Sequence, residues 1–96
     1  MFPVKPYLRY MPDDGAQIDR WGEQPLYRQL AAILRAQIQS GTLRPGQHLP
    51  SEATLQQTYG LARNTVRAAV ALLRDEGLVI TRAQRGSKVA DHPGKH

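Results

Sequence analysis

Side chains that can bind bases and phosphates are concentrated in the stretch YGLARNTVRAAVALLRDEGLV, residues 59–79. Arg63 and Arg67 can each donate two parallel hydrogen bonds to guanine O6 and N7, or to a phosphate. Asn64 can form the same kind of paired contact with adenine, and Thr65 can bond a phosphate or touch a thymine methyl group. We expect base readout from Arg63, at the start of the predicted helix, and a phosphate contact from Arg67, one turn later. A solvated polar face is the alternative interpretation.

The arginines of this stretch share one side of a helix. At ~100° per residue, Arg67 and Arg74 lie within about 40° of Arg63 around the helix axis. The apolar residues fall in a separate sector and would face a core: Val66, Ala69 and Leu73. For Arg74 a solvated side chain is the better interpretation, because Asp75 and Glu76 follow it and the start of the helix is distant.

Three helices are predicted in this part of the chain. The first runs from Pro25 to Ser40 with an apolar residue at every fourth position, and the second runs from Glu52 to Tyr59. Ser51 can cap the second helix by accepting a hydrogen bond from a free N–H one turn in. The third runs from Arg63 to Glu76, and Gly60 can supply the tight turn before it. Two short helices joined in this way predict a helix-turn-helix.

A basic hairpin follows the third helix. The segment LVITRAQRGSKVA reads as two strands with a tip near residues 84–86. Arg85 is the best candidate there for a minor-groove or phosphate contact, and Gly86 lies beside it. Arg82 and Lys88 could reach the nucleic-acid backbone, or could equally keep edge strands from pairing between molecules. The predicted fold is mainly α with a small β wing: a winged helix-turn-helix of three helices plus a β-hairpin.

The charge is unevenly distributed along the 96 residues. Up to residue 24 there are three basic and four acidic residues, whereas from residue 25 onward there are ten basic and four acidic residues. A basic domain favours a polyanionic partner, with solubility as the alternative reason for the charge. We expect a loosely structured N-terminal arm over residues 1–24, a DNA-binding domain over 25–90 and a tail over 91–96. Packing of the arm's aromatic residues on the domain or on a second subunit is the alternative.

Other classes of function find little support in the sequence. The chain has no cysteine, so it can form neither a disulfide framework nor a thiolate metal site. His48, His92 and His96 lack metal-ligand spacing, and no phosphate-binding glycine loop or catalytic constellation occurs. No apolar run approaches the ~20 residues that span a bilayer, and prolines interrupt the first fifteen residues. We therefore expect no enzyme, no metal, no cofactor, no signal peptide and no membrane partner.

The sequence from Pro25 to Val89 resembles the DNA-binding domain of the GntR family of bacterial transcription regulators. The similarity includes PLY at the first helix, SGTLRPGQHLPSE before the second, TVR in the third, LLRDEGLV at its end and RG in the wing. The resemblance implies a winged helix-turn-helix that binds a palindromic operator as a homodimer, with the third helix in the major groove and the wing at the minor groove. It implies a cytoplasmic, nucleoid-associated regulator, with repression the expected activity.

The resemblance also implies the residues that contact DNA. Those at the start of the third helix match the family's contact positions, and they are Arg63, Asn64, Thr65 and Arg67. Ser51 matches a phosphate-contacting cap, and Arg85 and Gly86 match the wing. Three positions depart from the pattern: Ala53 replaces an arginine that contacts DNA, Ala62 replaces a capping serine or threonine, and Gln84 replaces a glycine at the wing tip.

A fourth departure is the absence of the large effector-binding domain that usually follows in this family. If 96 residues is the natural length, the protein has no effector pocket, and if the chain is an N-terminal fragment, the sensing half lies elsewhere. The sequence leaves both open, and it also leaves open a winged helix that binds another protein instead of DNA. No small-molecule effector site is visible in this chain.

Overall fold

The computed structural model describes residues 18–92 and contains three helices followed by two strands. The helices are α1 (Leu26–Ser40), α2 (Glu52–Tyr59) and α3 (Arg63–Asp75), and the strands are β1 (Val79–Arg82) and β2 (Gly86–Val89). The predicted fold class, three helices plus a β-hairpin, is therefore confirmed. Most of the predicted arm (residues 1–17) and the end of the predicted tail (residues 93–96) lie outside the described residues.

α1 ends at Ser40, as its sequence predicts, and begins one residue later than expected, at Leu26. Pro25, at φ −56°, precedes the first helical residue, so its missing N–H costs no hydrogen bond. Gly41 ends the helix in the left-handed conformation at φ 88°, and its N–H donates to the carbonyl of Ile38. Between these ends the apolar face is buried, with Leu30 and Leu34 at 0% and 1% exposure. α1 is thus the helix against which the rest of the domain packs.

The helix-turn-helix is formed by α2, a short turn and α3. Ser51 caps α2, because its Oγ accepts a hydrogen bond from the Thr54 N–H at 3.0 Å. Gly60 ends α2 at φ 66°, where a side chain would be strained, and its N–H donates to the Gln56 carbonyl. α3 begins after Ala62, which has extended backbone and offers no side-chain cap. α3 ends one residue earlier than expected, because Glu76 has left the helix by the point where Gly77 turns the chain at φ 78°.

The core lies between α1, α3 and the base of the hairpin. Its most deeply buried side chains are Leu30, Leu34, Val66, Leu73 and Val89. The predicted apolar sector of α3 is confirmed, since Val66, Ala69 and Leu73 are all at 0% exposure. Complete burial of this face leaves the opposite side of α3 to solvent, which decides where its arginines point.

The sheet of the wing extends beyond the two strands of the hairpin, because the segment before α2 pairs with β2. β1 and β2 are antiparallel, with Val79 opposite Val89 and Ile80 opposite Lys88. Residues 46–49 lie along the other edge of β2: the Gly46 N–H donates to the Val89 carbonyl, the Val89 N–H to the Gln47 carbonyl, and the Leu49 N–H to the Ser87 carbonyl. Residues 46–49 therefore form a third extended segment of the wing, on the edge of β2 away from β1.

A paired salt bridge joins α1 to the end of α3. Arg35 Nε donates to Glu76 Oε1 at 2.8 Å, and Arg35 Nη2 donates to Glu76 Oε2 at 2.7 Å. Both side chains are about one-third exposed. A bidentate, partly buried pair of this kind stabilises more than an ordinary surface pair.

Replacing Glu76 by glutamine should lower the free energy of unfolding by about 1 kcal/mol, because the charged half of the paired contact is lost. The measurement is urea denaturation at low and high salt. Asp75→Asn is the matched control, since it removes the same charge from the neighbouring residue and should leave stability unchanged or slightly higher. Equal losses in the two variants would contradict a specific role for the Arg35–Glu76 pair.

Gln84 lies at the tip of the hairpin and is the one non-glycine residue with positive φ in the described range, at φ 64°. Gln84→Gly should raise the free energy of unfolding by about 0.5 kcal/mol, since relief of the left-handed strain outweighs the extra flexibility of the unfolded chain. Thermal unfolding would show this as a rise of about 2–4 °C in Tm. Ala83→Gly, one residue earlier, should lower Tm instead, and a fall in both variants would show that Gln84 is not strained.

Candidate nucleic-acid interface

The start of α3 presents polar side chains on the side opposite the core. Arg63 and Asn64 are exposed, Thr65 is half-buried, and Arg67 is exposed one turn further on. The guanidinium-bearing side chains of Arg63 and Arg67 are 63% and 56% exposed. Because Val66 between them is fully buried, the helix cannot rotate to withdraw these groups. The predicted group of residues at the start of α3 is therefore assembled on one accessible surface.

Both arginines contact a single carboxylate on α2. Glu52 Oε2 accepts a hydrogen bond from Arg67 Nε at 3.1 Å, and Glu52 Oε1 lies 3.8 Å from Arg63 Nε. Each guanidinium uses its Nε edge, so its terminal nitrogens remain available to a further ligand. Glu52 therefore orients both arginines and neutralises part of their charge.

The sequence indicates only a helix-dipole role for Glu52, at the positive end of α2. Its pairing with Arg67, fifteen residues later, depends on how α2 crosses α3, and no local pattern reports that crossing. The relevant sequence feature is an acidic residue directly after the cap of the first helix of a helix-turn-helix. That feature predicts a contact between Glu52 and the arginines only when the arginines are known to lie at the start of the second helix.

Ser51 lies at the edge of the same surface. Its hydroxyl accepts from the Thr54 N–H and donates to Thr54 Oγ1 at 3.0 Å, so its hydrogen atom is already committed. The residue is nevertheless exposed. The neighbouring Ala53 is exposed as well and brings no donor to this position. An anion here would meet the free N–H groups at the start of α2, with no long basic side chain from residue 53.

An open groove of about 690 Å³ separates the start of α2 and α3 from the wing. It brings together five of the sequence-predicted residues, which are Ser51, Arg63, Arg82, Arg85 and Gly86. Arg67 lines a second, adjoining groove of about 470 Å³ with residues of the wing. Asn64, Thr65 and Lys88 line neither groove. The structure thus brings six of the nine predicted residues to two adjoining grooves between the helices and the wing, and it places the other three outside them.

The basic side chains of the wing differ from Arg63 and Arg67 in having no partner. Within residues 18–92, Arg82, Arg85 and Lys88 form no side-chain hydrogen bond or ion pair. By contrast, Thr81 and Ser87 on the hairpin share a hydrogen bond between their hydroxyl oxygens at 2.9 Å. The wing therefore carries its charge without internal compensation.

Arg20 was not anticipated as part of this surface. Residues 18–24, which precede α1, are joined to α1 by two hydrogen bonds. The Asp19 N–H donates to Gln29 Oε1 at 2.6 Å, and Gln29 Nε2 donates to the Asp19 carbonyl at 2.8 Å. The next residue, Arg20, donates from Nη2 to the carbonyl of Gly60, in the turn between α2 and α3. The described part of the segment thus places a guanidinium beside the helix-turn-helix.

Neither a metal centre nor a transmembrane helix is found in the described range. Among residues 18–92, no group of three or more histidine, cysteine, aspartate or glutamate side chains could hold a metal ion. No helix in that range is long and apolar enough to cross a bilayer.

The family model for bacterial regulatory proteins of the gntR family matches residues 26–89. The chain is 45% identical over 58 residues to the mannosyl-D-glycerate transport/metabolism system repressor MngR of Escherichia coli. The aligned region covers 60% of this chain and 24% of MngR. The fold is similar to YtrA of Sulfolobus acidocaldarius, a GntR-family transcription factor, with a TM-score of 0.74, 32% identity and coverage of 80% of this chain and 81% of that one.

The DNA-binding domain of AraR, in complex with operator ORX1, superposes with a TM-score of 0.68 at 33% identity, covering 70% of this chain and 81% of that one. The chain spans only about a quarter of the length of MngR. A family match over two-thirds of the chain and a fold shared with GntR-family structures give the same assignment. This chain belongs to the gntR family of bacterial regulatory proteins.

Proposed function

We propose that this chain is the DNA-binding part of a GntR-type transcriptional repressor and that it binds double-stranded DNA sequence-specifically. The observation that carries the proposal is the exposed polar surface at the start of α3, whose reverse face is completely buried. The similarity to MngR, a repressor, and to the AraR domain in its operator complex supports it.

α3 would enter the major groove, which is ~12 Å wide and admits an α-helix. At its start, Arg63 would bond guanine O6 and N7, and Asn64 would pair with adenine. Thr65 and Arg67 would bind backbone phosphates on either side of these base contacts, with Thr65 also able to meet a thymine methyl group. The division of roles follows from position, since Arg67 lies one turn back from the leading end of the helix.

Glu52 would act on the arginines and not on the DNA. Its carboxylate holds the Nε edges of Arg63 and Arg67, so the two side chains lose less conformational entropy when a duplex binds. The same negative charge opposes indiscriminate binding to phosphates, because a carboxylate near the backbone is repelled. Glu52 would therefore increase the difference in affinity between operator and other DNA.

The wing and the cap of α2 would fix the register of the domain on the duplex. Arg85 and Gly86 at the hairpin tip would meet the minor groove, with Arg82 and Lys88 near the backbone. Ser51 and the free N–H groups of α2 would bind a phosphate on the other side. With arginine absent at Ala53 and a capping hydroxyl absent at Ala62, more of the affinity would depend on the wing and on Arg20, whose guanidinium lies at the turn.

We propose binding as a homodimer on a palindromic operator, because one small module buries only about 600–1,000 Å² on DNA. Joining two half-sites multiplies affinity through effective concentration. The arm over residues 1–24 is the proposed interface. Its described part, residues 18–24, is attached to the domain through Asp19 and Arg20, which would hold the rest of the arm at a defined starting point.

A second candidate function is binding to another protein. The observation that favours it is Trp21, which is 96% exposed on the segment before α1 and is the one large apolar side chain in the described range with such exposure. A gel shift on genomic fragments distinguishes the two functions, since only DNA recognition gives a complex that resists competitor at moderate salt. Selection of bound sites from random duplexes would then define the operator, its symmetry and its half-site spacing.

Arg63→Ala should weaken operator binding by about 1–3 kcal/mol and relax the preference at one base pair. The measurement is a titration against the selected operator and single-base variants at fixed salt. Arg74→Ala, which removes an exposed arginine from the far end of the same helix, is the control and should change affinity little. An equal loss on every duplex would show that Arg63 contacts only the backbone.

Glu52→Gln should raise the affinity for unrelated DNA. The ratio of the affinity for operator to the affinity for unrelated DNA should fall by a factor that corresponds to about 1 kcal/mol, the upper range for an exposed ion pair. The ratio is measured by competition at two salt concentrations. Glu23→Gln removes the same charge from an exposed residue that has no partner in the described range, and it should leave the ratio unchanged. A ratio that stays constant for Glu52→Gln would remove its proposed role.

A further inference from the structure

The wing has a second polar face, on the side away from α3. Alternate residues of a strand point to the same face, so Ile80, Arg82 and Lys88 lie opposite to the face that carries Val79 and Val89 into the core. His48 is joined to Lys88 by an isolated antiparallel bridge. The row His48, Lys88 and Ile80 therefore crosses all three extended segments of the wing, and Arg82 lies one step nearer the tip.

This face is concave. A depression of about 370 Å³ is formed there, and we call it the outer wing face; it is lined by His48, Ile80, Arg82, Arg85, Gly86, Lys88 and Asp91. Lys88 and Asp91 do not line the two grooves beside α3. The remaining polar residues, His48, Arg82 and Arg85, also line the larger groove, so the outer wing face begins at the rim of that groove and continues away from α3 over Ile80 and Lys88.

Its charge is uncompensated. In the part of the chain that the structure describes, Arg63 and Arg67 share Glu52, and Arg35 pairs with Glu76. Arg82, Arg85 and Lys88 have no such partner, and the single carboxylate on the outer wing face, Asp91, forms no ion pair. Three permanent cations against one anion in a concave surface attract a negatively charged partner.

The arrangement fits an extended polyanion better than one small anion. Lys88 lies opposite Ile80, and Arg82 is two positions further along β1, so these two charges are separated by about 7 Å along the strand direction. A DNA strand offers a phosphate about every 3.4 Å of helix axis. The arginines here are exposed, whereas a site for a single phosphate would be expected to enclose its ligand with buried donors.

We propose that the outer wing face is a second phosphate-binding surface, which holds the DNA backbone flanking each half-site. This rests on the proposed function. With α3 in a major groove and the tip of the wing at the adjacent minor groove, the outer face is turned away from α3, toward the backbone beyond that minor groove. The wing then binds DNA on both of its faces, and the footprint of each subunit extends past the bases that α3 reads.

The test compares two duplexes that contain the selected operator. One ends just beyond the minor groove that the wing contacts, and the other continues for about one helical turn, ~10 base pairs, on each side. The wild-type chain should bind the longer duplex more tightly and with a steeper dependence on salt. The double variant Arg82→Gln, Lys88→Gln should lose this gain, with the slope of log K against log salt reduced by about 2 on the longer duplex.

The matched control is Arg44→Gln, Arg74→Gln. It removes the same charge from two exposed arginines that have no partner in the described range and do not line the outer wing face. It should preserve the gain from flanking DNA. Any affinity that the Arg82, Lys88 variant loses on the short duplex should be the same for every single-base variant of the operator, and its base preference should be preserved, which would separate this surface from the readout by α3.

Three results would overturn the proposal in distinguishable ways. If the wild-type chain binds no duplex, the proposed function fails and the outer wing face fails with it. Operator binding that shows no benefit from flanking DNA would remove the outer wing face alone. An equal loss of the gain from flanking DNA in the wing variant and in its control would also overturn the proposal, because the charges would then act only through the net charge of the domain. An acidic protein would then be the partner that fits this face.

Discussion

The packing of α3 on α1 is the constraint on which the rest of this structure depends. Val66, Ala69 and Leu73 have no exposed surface, and they meet the equally buried Leu30 and Leu34. An amphipathic helix buried so completely on one side has a single rotational setting. The polar side chains at its start are therefore held outward by burial of their neighbours, and the directions of Arg63 and Arg67 follow from apolar contacts made elsewhere on the helix.

The basic side chains on the surface that this packing creates fall into two groups, those with an acidic partner and those without one. Arg63 and Arg67 of α3 are held by Glu52, whereas Arg82, Arg85 and Lys88 on the wing have no partner among residues 18–92. Paired arginines are oriented and partly neutralised, which suits discrimination between bases. Unpaired charges act at longer range and depend strongly on salt, which suits capture of a backbone of any sequence. The division matches the two tasks that a DNA-binding regulator must perform.

Much of the fold could be predicted because its information is local. Periodic leucines, the proline before α1 and the glycines after each helix define the elements, and Ser51 caps α2 as its position indicates. What could not be predicted depends on contacts between distant segments. The Glu52–Arg67 hydrogen bond requires the crossing of α2 and α3, and the Arg20 contact with Gly60 spans forty positions of the chain. The sequence also indicates basic residues on the wing, but the position of Arg82 and Lys88 on one face of the hairpin requires the register of β1 against β2.

The pairing of residues 46–49 with β2 has a mechanical consequence. Gly46 and Gln47 exchange hydrogen bonds with Val89, and Leu49 is bonded to Ser87, only two positions before the cap of α2. Tension applied to the chain after Ala90 would be shared between these bonds and the hydrogen bond from the Ala90 N–H to the Leu78 carbonyl, and part of it would pass into the loop that leads to Ser51. A displacement of β2 would therefore reach the entry to the helix-turn-helix through three backbone hydrogen bonds, so the wing and the start of α2 are mechanically coupled through the main chain.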